Sequence, residues 1–102
     1  MHRGHKDLQV CRQVFDALTY ALAELDDPVI DELVLVSVMP APSAARVQVT
    51  LVPTSTSSID LDEARERLRE VASELREEVA AEVSRRRVPE LVFRIDHPVA
   101  TT

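Results

Sequence analysis

Arg65, Arg69, Ala72 and Arg76 fall within about 60° of one another when the segment around them is wound as a helix at roughly 100° per residue. Guanidinium groups aligned in this way suit one chemistry, the binding of phosphate or carboxylate oxygens through forked hydrogen bonds. Glu66, Glu70, Glu74 and Glu77 occupy a separate stripe. A helix that is merely solvated gains from acidic and basic residues paired at i,i+4 spacing, whereas Glu66, Glu70 and Glu74 stack like charges. Two readings remain open: a flank reserved for an anion, or a solvated face on which Glu63 pairs with Arg67.

Other groups are less committed. Arg85, Arg86 and Arg87 suit phosphate, yet cations also stabilise a helix C-terminus by complementing its dipole. His2, Arg3, His5, Lys6 and Arg12 make the start of the chain basic, either as an arm that meets an anion or as a tail. The histidines have no carboxylate or cysteine at ligand spacing on a rigid element, so no metal site is expected. Cys11 falls on an apolar helical face with no histidine partner and reads as a small core residue. His97 reads as an exposed terminal residue, and no set of groups forms a catalytic constellation. Gly4 is the single glycine. A phosphate loop or a dinucleotide fingerprint needs several, so neither is present and no cofactor or small-molecule substrate is expected.

The elements that must position these groups follow from periodicity. Leu8, Cys11, Phe15, Leu18, Leu22 and Leu25 mark one face of a helix that begins at Lys6 or Asp7 and is ended by Asp26-Asp27-Pro28. Leu33 to Met39 is β-branched and apolar on both faces, which predicts a central strand. Pro40-Ala41-Pro42-Ser43 turns the chain into a hairpin partner, Arg46 to Val52, with alternating polarity. Asp60 and Glu63 form a capping-box pattern. Leu61, Ala64, Leu68, Val71, Leu75, Val79 and Val83 then carry an apolar stripe toward the arginine cluster, as one helix or as two divided at Ala72-Ser73. Pro89 stops helical geometry at Val88, and Leu91, Phe93 and Ile95 alternate as a last strand with Phe93 in the core. A strand reached through a helical crossover lies parallel to an earlier one; it is placed beside Leu33 to Met39.

The expected architecture is α+β, a two-layer sandwich with a three-stranded mixed sheet and its helices on one face. At 102 residues the chain reads as one domain, with residues 1–5 a flexible basic tail, 6–97 the folded unit and 98–102 a C-terminal tail. A net charge of −6 argues against indiscriminate coating of nucleic acid, though not against a local basic face. No apolar run reaches the length of a membrane span and no signal-peptide stretch is seen, so a cytoplasmic location without membrane contact is expected.

Asp27-Pro28, the hairpin segment Ala45-Arg46-Val47-Gln48-Val49-Thr50, the helical Glu70-Val71-Ala72-Ser73-Glu74-Leu75-Arg76, and Arg86-Arg87-Val88-Pro89-Glu90-Leu91-Val92-Phe93-Arg94-Ile95-Asp96 together resemble the ribosome-binding factor A family. The resemblance spans about residues 6–97 and is most specific at Val88-Pro89-Glu90-Leu91 with Phe93 and Asp96. It implies a KH-like type II topology, αββααβ. It also implies a non-catalytic factor that binds the small ribosomal subunit and its rRNA late in maturation; a monomer is expected. It further implies a kink between the second and third helices at Ala72-Ser73, where serine stands in place of the family's usual glycine. Asp26 and Val29 flank the Asp-Pro pair where basic residues are frequent in the family, and Ala81 replaces a lysine. Together with the charge pattern, the resemblance gives a candidate RNA-binding set of Arg3, Lys6, Arg12, Arg65, Arg69, Ala72, Ser73, Arg76, Arg86 and Arg87. With three aromatic residues in the chain, base stacking is expected to matter little. The alternative is a KH-like protein-interaction module whose acidic helix faces and sheet edge meet a protein.

Overall fold

In the computed structural model, which describes residues 3–41, 45–54, 57–83 and 88–96, helix α1 spans Arg3–Leu25, strand β1 Leu33–Pro40 and strand β2 Arg46–Pro53. Helix α2, Leu61–Glu82, and strand β3, Glu90–Ile95, complete the order, and a short 3-10 turn at Ile30–Glu32 joins α1 to β1. This is the expected α+β sandwich with a three-stranded mixed sheet.

Helix α1 begins at Arg3, so residues 3–5 are helical rather than part of a tail. Once an amphipathic segment is docked, each further turn adds hydrogen bonds without a new nucleation cost. Its buried face consists of Val10, Cys11, Val14, Ala17, Leu18 and Ala21, while Leu8 is 56 % exposed and Phe15, Leu22 and Leu25 are only partly covered. A helix lies closest to a sheet along its small residues, and a pattern built from the large ones is therefore rotated away from the true core line. Asp26 ends the helix at φ 49°, in the left-handed region.

Asp27 holds the corner that follows. Its side chain is 7 % exposed and accepts from the amides of Val29 at 2.9 Å and Ile30 at 3.2 Å, and from Arg67 Nε of α2 at 2.5 Å. Arg67, expected to pair with Glu63, instead bridges Asp27 and Glu70. Burial by itself raises the Asp27 pKa, but the hydrogen bonds from Arg67, Ile30 and Val29 outweigh it and hold the carboxyl below its usual 3.8. A lowered folded-state pKa means stability that is complete above that ordinary value and is lost as pH falls through the lowered one. Asp27→Ala should therefore cost about 2 kcal/mol at neutral pH, by leaving two amides without an acceptor. It should also flatten the acid limb of the stability curve, as measured by thermal unfolding over about pH 2–7.

The sheet order is β1-β2-β3. β3 runs parallel to β2, pairing Arg46 with Glu90 through Leu51 with Ile95, and does not touch the expected neighbour β1. β2 is central and β1 is an edge strand. The two-faced apolarity of β1 arises from a register irregularity between Leu35 and Ser37. Before it Leu33 faces the core, after it Val38 does, and Val34 and Val36 stay on the open side. With helices on one face only, the central strand alternates, and β2 does so: Val47, Val49 and Leu51 are fully buried.

Asp60 caps α2 by accepting from the amide of Asp62 at 2.8 Å. Ala64, Leu68, Val71, Leu75 and Val79 then enter the core, as the stripe predicts. The helix is continuous across Ala72-Ser73, so the helix pair of the αββααβ order is one unbroken helix. Residues 61–82 contain no glycine or proline to break the ladder, and Asp26 is the one described non-glycine residue at positive φ. The helix stops at Glu82, with Val83 extended and buried, short of the arginines expected to cap it. Arg85, Arg86, Arg87, His97 and the tail 98–102 lie outside the described residues.

Candidate anion-binding cleft

The core stripe of α2 faces the sheet, and the arginine flank, turned roughly a quarter of a circle from it, faces the free edge of β3. Between them runs a cleft of about 550 Å³ lined by Arg65, Leu68, Arg69 and Ala72 from the helix, by Phe93, Arg94 and Ile95 from the strand, and by Asp96 just past its end. Spacing at i, i+3, i+4 and i+7 places the four helical residues on one line.

The structure brings together three of the sequence-predicted residues, Arg65, Arg69 and Ala72. Arg76 continues the line one turn further, exposed and without an ion pair to any described residue, and Ser73 is exposed beside it. Arg12 is exposed on α1 and does not line the cleft. The side chains of Arg3 and Lys6, in the first turns of α1, lie outside the described part, as do Arg86 and Arg87.

Beside the core residues Leu68 and Ile95, three further cleft residues were not in the predicted set. Arg94 and Asp96 are joined by a hydrogen bond from Nε to Oδ1 at 2.5 Å, and Phe93 is half-buried rather than enclosed in the core. Their signal was the position of β3 at the sheet edge, which opens its side chains to the helix flank.

Charges in the cleft are locally balanced. Arg65 donates to Asp62 at 3.1 Å and Arg69 to Glu66 at 2.7 Å, each one turn back on the helix. Such exposed pairs are weak and exchange readily for another anion. No cluster of three or more metal-ligating side chains occurs among the described residues, and no described helix is long and apolar enough to cross a membrane. The arrangement is fit for holding an anion beside an apolar floor.

No family model matches the chain, and no curated protein matches it. Among solved structures, ribosome-binding factor A from Thermus thermophilus superposes with a TM-score of 0.73 at 21 % identity, over 87 % of this chain and 94 % of that one. At that identity the likeness concerns architecture, and this chain has the fold of ribosome-binding factor A.

Proposed function

We propose that the protein is a non-catalytic ribosome-assembly factor that binds the small ribosomal subunit and its rRNA during late maturation in the cytoplasm. The observation that carries this reading is the convergence of Arg65, Arg69 and Arg94 on one cleft, on a fold shared with a ribosome-binding protein. Arg65, Arg69 and Ala72 form the centre of the surface and Arg76 extends it. Ser73, Arg12, Arg3, Lys6, Arg86 and Arg87 are assigned to its periphery. Phosphate contact by arginine supplies affinity in spite of a net charge of −6, because the local field governs docking.

Co-sedimentation with immature small subunits, combined with protein–RNA crosslinking, tests this. Binding should weaken steeply with salt, with crosslinks at residues 65–76 and 93–96. A salt-insensitive association without rRNA crosslinks would refute it. That outcome belongs to the second reading, a protein-interaction module, which is favoured by the exposed Val34, Val36, Met39 and Val92 on the sheet.

A further inference from the structure

We infer that the cleft between α2 and β3 takes one unpaired base of an RNA strand, laid against Phe93 and read on its N–H edge by Asp96, with guanine preferred. This rests on the RNA-binding reading above and narrows it from phosphate attraction to the recognition of a single base.

The floor of the cleft is the first reason. A duplex backbone requires cations on an accessible surface and gains nothing from Leu68, Ala72, Phe93 and Ile95. An unstacked base gains from the half-buried Phe93 and Ala72 above the buried Leu68 and Ile95, because it offers a π-face to the aromatic ring and an apolar surface to the aliphatic groups. A cleft of about 550 Å³ is also of the size that encloses a small ligand.

The second reason is the carboxylate. Asp96 stands among arginines in a site whose ligand is an anion, and for phosphate alone its charge is adverse. Its place is fixed by its own amide, which donates to the Leu51 carbonyl at 2.9 Å, and by Arg94 on Oδ1. The side chain is 38 % exposed, and no described group donates to Oδ2. A carboxylate is an acceptor with two oxygens and about four lone-pair sites. Guanine presents adjacent donors, N1–H and the N2 amino group, that match those two oxygens, whereas adenine, cytosine and uracil do not offer such a pair. Arg65 and Arg69 then meet the flanking phosphates, leaving Asp62 and Glu66 to water.

Fluorescence anisotropy with the full chain and labelled oligouridine of about eight nucleotides, carrying one central guanine, adenine, cytosine or inosine, tests the assignment. Guanine should bind about 5-fold or more tighter than adenine, and inosine, which lacks the N2 amino group, should fall between them. Asp96→Asn should cut the guanine preference below about 2-fold while tightening all-uridine binding, because a repelling charge is gone. Those opposite movements separate recognition from a structural role. Phe93→Leu, which keeps an apolar side chain on the core, should weaken every oligonucleotide about 5-fold or more through lost stacking. Equal binding of guanine and adenine by the unaltered protein overturns the inference. If small subunits still co-sediment in that case, the assembly-factor reading stands; if neither subunits nor oligonucleotides bind, both fall.

Discussion

Reversing Arg65 and Arg69 together to glutamate should lower affinity for the small subunit about 100-fold at low salt, while Arg76→Glu alone should cost about 5-fold. The asymmetry follows from geometry. Arg65 and Arg69 line the cleft, and Arg76 stands one turn outside it. Each cleft arginine on α2 is held by a carboxylate one turn back, Asp62 or Glu66. These exposed pairs offer little resistance to exchange with phosphate. Reversal leaves four acidic side chains, at positions 62, 65, 66 and 69, where two cations had been available. The slope of log affinity against log salt should also fall by about 2, one for each phosphate contact removed. Neither arginine is buried, so urea unfolding should be nearly unchanged, which separates a binding defect from a folding one. Equal losses from the double reversal and from Arg76→Glu would mean that the cleft is not the docking centre.

How much of this was legible in the sequence depends on which interaction decides each feature. The α2 stripe was readable residue by residue, because one helix face against one core leaves a 3.6-residue period with no competing demand. The arginine flank was readable for the same reason, since it is a property of the same helix. What lay opposite that flank was not readable, because it depends on which strand occupies the sheet edge. Apolarity on both faces of residues 33–39 suggested a central strand, but a bulge produces the same composition at an edge by shifting the phase of the alternation. With β3 placed beside β1, Arg94 and Asp96 had no reason to approach Arg65. Phe93 read as core because its alternation matches Leu91 and Ile95, and periodicity alone does not say that the last strand is half open on that side. Asp27 was read only as a helix stop. Its bond to Arg67 joins residues 40 apart in the chain, a distance at which no spacing rule operates. The Ala72-Ser73 step does not interrupt α2, for a local reason: serine mid-helix gives the backbone no cheap left-handed conformation, which glycine would supply.

The strand order itself carries the other large expected effect. Leu51→Ala should destabilise the protein by about 3–4 kcal/mol, whereas Val36→Ala should change stability by no more than about 0.5 kcal/mol. Leu51 has no exposed surface and is flanked by Leu35 on β1 and Ile95 on β3. Its truncation opens a cavity in the layer between sheet and helices that neighbours on both sides restrain from collapsing. Val36 is 50 % exposed at the bulge of an edge strand and has little packing to lose. Urea midpoints at constant m would measure the difference. For a domain whose total stability is of the order of 5–15 kcal/mol, the Leu51 variant loses a large share of it. The same substitution should loosen the cleft, because the Leu51 carbonyl accepts from the Asp96 amide and Ile95 pairs with Leu51 across the parallel ladder. The central strand thus sets both the stability of the core and the position of the side chains at the edge, so a Leu51→Ala protein that still folds should bind guanine-containing RNA less selectively than the unaltered chain.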